Sequence, residues 1–441
     1  MEKALSPTRG DRLMRVFKRI ASNMHDAGLS RQFIDDGDFS GDSIVLDGNR
    51  MLNFGLCSYL GLGDDARLKE AAKDAIDRYG TSYSSSIAYT AVPLYRDLRE
   101  RMRELFDSEV VLTGTTTLGH LTALPVLVMP GDRVFLDSQT HASVMTASQT
   151  LQATGVSVTP LPHNDMAALE AKLAEDKDSR RIWYLTDGVF SLGGQTSPAE
   201  ELMSLVRQYD NLHLYIDDAH GFGWAGLHGR GQYLARVGWH ERVVVATGLS
   251  KTFGSLGGAI ATTNAEFAEN IELTGPALTF GGPIPPGSLG GCIAAADVFL
   301  SDELVERQEA LMERIRLVNK LSDEMGMPLV SSEETPLWFS DIGDVADMIR
   351  LTGAMRDEGF FLNGAGFPVV PHGHAGVRFT VTLYLSLQQI EDMLTCLHEK
   401  RLELFGDTEL LIDLSEEEAE IPTSGADSST RLDWLIAQYK A

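Results

Sequence analysis

The stretch ATGLSKTFGSLGGAI, residues 246–260, contains a single lysine, Lys251, within a run of small residues. The residues before it, ERVVVATG, are apolar and β-branched, and they predict a buried strand. A lysine on a solvated surface needs neither a buried strand before it nor glycines around it. A lysine that bonds covalently to a ligand needs a fixed position, so Lys251 is the first candidate for a functional residue.

The lysine segment belongs to a longer alternating pattern. Short apolar runs recur between residues 109 and 263, and they are EVVLTG, DRVFLD, VSVTPL, RIWYLTD, LHLYIDD, RVVVATG and GGAIATT. Helix-like stretches such as LGHLTALPVLVM and SPAEELMSLVRQY lie between several of them. Strands that alternate with helices predict an α/β fold with a mostly parallel sheet that is covered on both faces. Ligands of such sheets bind at the carboxyl ends of the strands.

The pattern changes near residue 300, which predicts a division into segments. We expect an N-terminal helical segment at 1–48, a large domain at 49–300, a smaller C-terminal α+β domain at 301–405 and an acidic tail at 406–441. The smaller domain begins with DELVERQEALMERIRLVNKLSDEMG, which has the spacing of one long amphipathic helix. The tail contains EEEAEIPTSGADSST, which cannot bury much surface, and we expect it to be dispensable for chemistry.

Composition excludes several classes of function. The 441 residues include 63 acidic and 37 basic side chains, a formal charge of −26, which argues against nucleic acid or an anionic membrane as partner. We find no run of about 18 apolar residues and no secretory signal pattern, so we expect no membrane span. The three cysteines have no metal-ligand spacing, which favours a reducing, cytoplasmic location.

Two other predicted strands also end in polar side chains. These side chains are Asp217, Asp218 and His220 in LYIDDAHGFG, and Asp187 and Ser191 in YLTDGVFSLGG. A lysine, an acid, a histidine and a serine on neighbouring strand ends suit pyridoxal phosphate. Its aldehyde needs a lysine, and its ring nitrogen needs a carboxylate that keeps it protonated. Its phosphate needs backbone N–H groups at a glycine turn before a helix, and VLTGTTTLGHLTAL supplies such a turn, although threonines also cap helices for structural reasons alone.

Other polar residues are interpreted as structural. Asp218 fits a cap or a supporting role better than direct chemistry, and His120 and His213 fit ordinary structural roles. His372 and His374, in VVPHGHAG, have the spacing of a metal pair, but without further ligands we interpret them as part of a loop near the site. We therefore expect no metal centre.

The order of motifs resembles a known family. YGTSYSSS, VLTGTTT, DSQTHAS, TDGVFSLGG, IDDAHGFGWAGLHGRG, TGLSKTFGSLGG, FPVVP and VRFTVT follow one another as in the α-oxoamine synthases, which are fold-type I pyridoxal-phosphate enzymes. The resemblance covers about residues 45 to 400. DDAHGFGWAGLHGRG and SKTFGSLGG in this order are its most specific parts.

The resemblance implies roles for individual residues. Lys251 is the Schiff-base lysine, Asp217 pairs with the pyridinium nitrogen, and His220 contacts the phenolic oxygen. The other cofactor-binding residues that it implies are Ser191 beside His220, His141 stacked on the ring, and Gly114 and Thr115 at the phosphate.

The phosphate site departs from the family pattern. Gly248 stands three residues before the lysine, where a threonine is common, and Gly282 stands where the partner subunit's hydroxyl often reaches the phosphate. The missing hydroxyls are replaced by Thr116, Ser250 or backbone N–H groups, and the sequence does not decide among them.

The substrate site departs from it as well. Arg378, in GVRFTVT, matches the arginine that holds the substrate carboxylate. Cys57 stands where an asparagine is common and Ile87 where an arginine is common, so both are candidate substrate-binding residues. Their replacement predicts a preference for an uncharged, apolar acyl chain.

The activity that the resemblance implies is a decarboxylating Claisen condensation. An α-amino acid and an acyl thioester, carried by coenzyme A or by an acyl carrier protein, give an α-aminoketone, and Lys251 removes the Cα proton. The implied assembly is a homodimer. Two alternatives stay open: another fold-type I reaction, such as transamination or aldol cleavage, and a non-catalytic partner subunit, which would be expected to lack the lysine.

Overall fold

The computed structural model describes residues 9–37, 40–367, 369–371 and 373–406. The chain divides into two compact units, one of residues 57–313 and one of residues 1–56 with 314–441. The domain boundaries expected at 48, 300 and 405 stay predictions, and nearly all of the acidic tail lies outside the described residues.

The described residues form thirteen strands and fourteen α-helices. The strands are β1 (Ser43–Leu46), β2 (Asn49–Asn53), β3 (Glu109–Thr113), β4 (Arg133–Asp137), β5 (Ser157–Leu161), β6 (Ile182–Asp187), β7 (Leu212–Asp217), β8 (Val243–Gly248), β9 (Gly258–Thr262), β10 (Leu337–Gly343), β11 (Phe360–Phe361), β12 (Asn363–Ala365) and β13 (Ala375–Thr380). The helices are α1 (Arg9–Asp26), α2 (Ala66–Tyr79), α3 (Leu94–Phe106), α4 (Thr116–Leu127), α5 (Ala142–Gln152), α6 (Met166–Glu175), α7 (Ala199–Gln208), α8 (Gln232–Val237), α9 (Ala265–Thr274), α10 (Pro276–Phe280), α11 (Pro286–Phe299), α12 (Glu303–Glu324), α13 (Val345–Asp357) and α14 (Leu387–Phe405).

The unit of residues 57–313 is built on a seven-stranded sheet with the order β3-β9-β8-β7-β6-β4-β5. Strands β8, β7, β6, β4 and β5 pair in parallel, whereas β9 is antiparallel to both β8 and β3. The prediction of an α/β fold with a mostly parallel sheet is therefore confirmed. All seven apolar runs that predicted strands form strands of this sheet.

One buried cluster of this unit lies on one face of the sheet. Alternate residues of neighbouring strands, including Leu136, Trp183 and Tyr215, pack in one buried cluster with residues of α4, α5 and α9. Strands β6, β7 and β8 are buried along their whole length, as expected for central strands that helices cover. Their apolar, β-branched sequences follow from that burial.

The strand topology fixes where polar side chains meet. Strands β3, β4, β6, β7 and β8 run in one direction, so their carboxyl ends reach the same edge of the sheet. Each of these ends continues into a segment that carries a predicted site residue or a polar neighbour of one. The sheet thus brings together residues that are far apart in sequence.

The unit of residues 1–56 with 314–441 contains two small sheets. Strands β1 and β2 form a hairpin that β11 joins in parallel, and β10, β13 and β12 form an antiparallel sheet. Helix α14 begins with a capping box in which Ser386 and Gln389 each bond the other's backbone. None of the described helices is both long enough and apolar enough to cross a membrane.

Candidate active site

A cavity of ≈ 210 Å³ lies at the carboxyl edge of the seven-stranded sheet. The side chains that line it come from the segments after β3, β4, β6, β7 and β8, and they are Thr115, Thr116, Thr117, His141, Ser143, Asp187, Val189, Asp217, Ala219, His220, Ser250, Lys251 and Leu256. The structure thus gathers seven sequence-predicted residues around one space: Lys251, Asp217, His220, His141, Thr115, Thr116 and Ser250.

Lys251 is held in a tight loop after β8. The Leu249 amide donates to the Gly257 carbonyl at 3.0 Å, which closes the loop. Gly254 has φ +75°, and a Cβ there would lie 2.8 Å from the carbonyl carbon of Leu62. The loop after the lysine therefore needs glycine, because its backbone is left-handed at this position and another segment packs directly against it.

Asp217 is buried at the end of β7 and both of its carboxylate oxygens have partners. The Ala219 amide donates to Oδ1 at 3.1 Å, and His120 Nε2 lies 3.0 Å from Oδ2. Burial alone would raise the pKa of Asp217, but His120, followed by His141 and Lys251, outweighs burial and lowers the pKa to about 2. Asp217 is therefore a carboxylate that stays ionised inside the protein.

The pKa of Asp187, on the adjacent strand, is shifted in the opposite direction. It is the register partner of Asp217 between β6 and β7, and its Oδ1 accepts a hydrogen bond from the His141 amide at 3.0 Å. Burial, followed by the charge of Asp217, raises the pKa of Asp187 well above its ordinary value. The cavity thus contains two acids whose pKa values are moved in opposite directions.

Asp218 lies behind the cavity and is packed against glycines. Its Oδ2 accepts from the Tyr233 amide at 3.0 Å, and a Cβ on Gly188, Gly221 or Gly231 would lie 2.0 to 2.3 Å from one of its oxygens. Burial raises the pKa of Asp218 to about 8. These contacts agree with the supporting role that the sequence predicted for Asp218.

The two predicted histidines are oriented by hydrogen bonds. His141 is exposed at the start of α5, where its Nδ1 lies 2.6 Å from Ser143 Oγ. His220 is buried, and its Nδ1 lies 2.8 Å from the hydroxyl of Tyr59. In each ring, Nδ1 is therefore hydrogen-bonded to a neighbouring hydroxyl, and this bond fixes the orientation of the imidazole.

The threonine turn before α4 is shaped by two glycines on other strands. Thr115 caps α4, and its hydroxyl accepts from the Leu118 amide at 3.2 Å. A Cβ on Gly248 would lie 2.6 Å from Thr116 Oγ1, and a Cβ on Gly258 would lie 2.7 Å from the Thr116 amide nitrogen. Thr116 thus occupies the space beside the position where the family pattern has a threonine, and the first amides of α4 point to the same end.

Several residues that the sequence predicted for the site are not among the described residues that line this cavity. Ser191 lies in the segment after β6, and Gly114 lies at the turn, where a Cβ would be 3.1 Å from the Gly282 carbonyl oxygen. Cys57 is half-buried at the start of its unit. Arg378 is half-buried on β13, in the unit of residues 1–56 with 314–441. Their functional roles stay predictions.

Ile87 lines a second cavity of ≈ 220 Å³ in the same unit as Lys251. Hydroxyl-bearing, apolar and proline side chains line this cavity, among them Tyr83, Thr90 and Tyr95. None of the described residues that line it carries a charge. We call the two spaces the lysine cavity and the Ile87 cavity.

Sequence reasoning missed His120 as a neighbour of the site. His120 lies four residues after Thr116 on α4, and that spacing places both residues on one face of the helix. This spacing is the signal that could have found it, because Thr116 was already a candidate. The contact with Asp217, which lies 97 residues later on a strand, was not visible in the sequence.

The described residues contain no group of three or more His, Cys, Asp or Glu side chains arranged to hold a metal ion. His374 Nδ1 pairs with Asp341 Oδ2 at 2.9 Å, and His372 lies outside the described residues.

Comparison with known families gives one broad match. Residues 49–395 match the family model described as aminotransferase class I and II. The 8-amino-7-oxononanoate synthase of Geobacter sulfurreducens is 32% identical over 366 residues, which cover 81% of this chain and 90% of that protein. The serine palmitoyltransferase of Sphingobacterium spiritivorum is 28% identical over 394 residues, which cover 89% of this chain and 96% of that protein.

Solved structures share the fold. A serine palmitoyltransferase variant from S. paucimobilis, solved with a bound pyridoxal phosphate–myriocin aldimine, superposes with a TM-score of 0.82 at 19% identity. The superposition covers 90% of this chain and 99% of that chain. The prediction of a fold-type I transferase fold is confirmed by this likeness.

Proposed function

Because the chain belongs to the aminotransferase class I and II family, in its α-oxoamine synthase branch, we propose that it is a pyridoxal-phosphate-dependent synthase. It joins the Cα of an α-amino acid to the acyl carbon of a thioester. The reaction takes up one proton and releases the free thiol and carbon dioxide, and the product is an α-aminoketone. The observation that carries this proposal is the lysine cavity, where Lys251 and an ionised Asp217 line one space.

The residues of the lysine cavity fit pyridoxal phosphate. A primary amine, a buried carboxylate and the N-terminal end of α4 line the same space, and the bare backbone at Gly248 and Gly258 leaves room beside that helix end. When bound, pyridoxal phosphate supplies an aldehyde for a covalent link to an amine and a protonated ring that accepts an electron pair from the substrate Cα. The donors and acceptors that this chemistry needs are all present.

Lys251 acts twice in this proposal. Its Nζ first holds the cofactor and then, once an amino acid takes its place, removes the proton from the substrate Cα. Asp217 holds a proton on the ring nitrogen, for which an ionised carboxylate is required. His120 and the Ala219 amide keep Asp217 in place from the side of the protein interior.

The other predicted residues bind and orient. When the cofactor is bound, His141 would contact its ring and His220 its phenolic oxygen, Thr116 and the first amides of α4 would hold its phosphate, and Arg378 would hold the substrate carboxylate. A bidentate guanidinium pair fixes which Cα bond is broken. The phosphate hydroxyl that Gly248 lacks comes from Thr116, whose Oγ1 fills the space beside that glycine.

The acyl chain of the thioester is proposed to occupy the Ile87 cavity. Because none of the described residues that line this cavity is charged, it favours an uncharged, apolar acyl chain over a carboxylate-ended one.

We also propose that the protein is a homodimer located in the cytoplasm. An active monomer at micromolar concentration in mass measurements would contradict the assembly.

The test starts with Lys251→Ala. We expect the variant to fold and to lose both the absorbance of lysine-bound cofactor and turnover, while borohydride reduction of the wild-type protein labels the peptide that contains Lys251. A label on another lysine would refute the assignment.

A second measurement separates the reaction classes. The wild-type protein is mixed with each amino acid alone and then with thioesters of graded length, and mass spectrometry identifies the products. An aminoketone with release of free thiol supports the synthase, whereas conversion of the cofactor to pyridoxamine phosphate would show a transaminase.

A further inference from the structure

His120 is a buried histidine between Asp217 and a tyrosine. It is 0% exposed on α4, with Nε2 3.0 Å from Asp217 Oδ2 and Nδ1 2.9 Å from the hydroxyl of Tyr215. Tyr215 is also fully buried, two residues before Asp217 on β7. The three side chains form one chain of hydrogen bonds that leads from the core of the protein to the lysine cavity.

The ionised carboxylate fixes the direction of the bond between His120 and Asp217. An ionised Asp217 can only accept, so His120 Nε2 donates to it. Burial, followed by the charge of Asp217, raises the pKa of Tyr215 well above its ordinary value, so its hydroxyl keeps its proton and bonds His120 Nδ1 as a neutral group. His120 Nε2 therefore carries a proton, and Nδ1 is held by the Tyr215 hydroxyl.

We propose that His120 is a positioning residue, which aims the Asp217 carboxylate at the ring nitrogen of the cofactor, and that Tyr215 holds the His120 ring in the orientation that does so. The proposal rests on the proposed function and adds to it residues that no motif indicated. It explains why an apolar stretch of α4 carries a fully buried histidine.

His120 differs from the other charged and titratable groups around Asp217. His141, Lys251 and Asp187 face Asp217 from the segment before α5, the loop after β8 and strand β6, and all three line the lysine cavity. His120 is fully buried, is not among the described residues that line this cavity, and contacts Oδ2 of Asp217. Without His120, the hydrogen bond from the Ala219 amide at 3.1 Å still holds Oδ1 of this carboxylate, but Oδ2 loses its imidazole partner and the carboxylate can turn about its terminal bond.

The experiment compares two ligands that differ at one atom. The full chain is stripped of cofactor and titrated at pH 7 with pyridoxal phosphate and with its 1-deaza analogue, which lacks the ring nitrogen. A residue that acts through Asp217 changes the preference between these ligands. A residue that only supports the fold changes both affinities alike.

Three variants test the chain of hydrogen bonds. His120→Leu removes the donor at similar volume, and we expect the preference for pyridoxal phosphate to fall roughly 10- to 100-fold, as for loss of one hydrogen bond to a charged group. His120→Gln keeps an N–H near the position of Nε2 and should retain most of the preference. Tyr215→Phe should cause a smaller loss, because Nδ1 then loses its partner while Nε2 still donates to Asp217.

Two matched controls lie in the same sheet. His213 is a buried histidine on β7, at the end far from Asp217, and Tyr184 is a buried tyrosine on β6 that bonds Asp137. His213→Gln and Tyr184→Phe should leave the ligand preference unchanged even where they lower stability. Nitrogen-15 spectra of histidine-labelled full chain should show one imidazole with a protonated Nε2 that loses its signature in Asp217→Asn, and Tyr215→Phe should shift the Nδ1 resonance of the same ring.

The outcomes are distinguishable from failure of the proposed function. If the wild-type chain binds neither ligand, the proposed function fails. If the wild type prefers pyridoxal phosphate and His120→Leu leaves the preference unchanged, raises it, or weakens both ligands equally, the positioning role is wrong and the function stands.

Discussion

The lysine cavity and the Ile87 cavity are neighbours with opposite chemistry. The lysine cavity contains two acids, two histidines and a lysine, whereas no charged side chain of the described residues lines the Ile87 cavity. Gly114, which precedes the threonine turn of the first, approaches Gly282, which lines the second. Under the proposed function, this difference places the charged side chains where bonds change and leaves the adjacent space to select the acyl chain by its shape and polarity.

The largest expected effect is in the lysine cavity. Asp217→Asn keeps the size of the side chain but removes its charge, so turnover should fall on the order of 10²-fold or more, as it does when other charge-stabilising groups are removed. The measurement is kcat/KM with cofactor at saturation. Asp218→Asn, at the next position, is the matched control and should be much milder, and normal turnover of Asp217→Asn would show that charge in this cavity is not required.

The Ile87 cavity is tested by giving it a charge. Ile87→Arg should shift the preference between acyl thioesters of equal length toward the carboxylate-ended one by roughly 10- to 100-fold, because the arginine supplies the ion pair that the cavity lacks. The measurement is direct competition between the two thioesters. Ile87→Leu keeps the cavity uncharged and should leave the ratio unchanged, and a wild-type preference for the carboxylate would overturn this view of the cavity.

A smaller effect is expected where a glycine makes room for a hydroxyl. Gly248→Thr places a Cβ 2.6 Å from Thr116 Oγ1. Thr116 is a β-branched residue at the start of a helix, so its side chain has few other rotamers that would relieve this clash. Cofactor affinity should fall about 10-fold, the order expected for one lost hydrogen bond to a charged group. Adding Thr116→Ala should restore it.

The control for this prediction lies in the Ile87 cavity. A Cβ on Gly282 meets nothing within 4 Å, so Gly282→Ala should leave cofactor affinity unchanged. If Thr116→Ala does not rescue Gly248→Thr, the clash is not the cause of the loss.

The smallest effect concerns stability and lies behind the lysine cavity. The pKa of Asp218 is about 8 in the folded protein and near its ordinary value in the unfolded chain. Between these two pH values the unfolded chain loses the proton of Asp218 while the folded protein keeps it. The free energy of unfolding of the wild type therefore falls as pH rises from about 4 to about 8. Asp218→Asn is neutral at every pH and should gain stability relative to the wild type over that range. Urea midpoints at pH 5 and pH 8 test this, and a constant difference would contradict it.

Much of the fold and part of the site could be predicted from the sequence. The seven strands of the large sheet followed from short β-branched runs, because burial on both faces demands such residues at consecutive positions. Lys251, Asp217 and His220 were candidates because polar residues directly after buried strands meet at one edge of a parallel sheet. These are local patterns, and the parallel topology converts them into proximity.

Only the tertiary structure decided which residues pair. His120 and Asp217 are 97 residues apart, on a helix and a strand whose contact depends on how α4 packs on the sheet. The same holds for Thr116 beside Gly248 and for the three glycines around Asp218, where the backbone is bare because a side chain from another segment fills the space. A sequence records that a glycine or a buried histidine is present. The contact that requires it exists only after distant segments pack together, since hydrogen bonds and steric exclusion act over a few ångströms in space, regardless of separation along the chain.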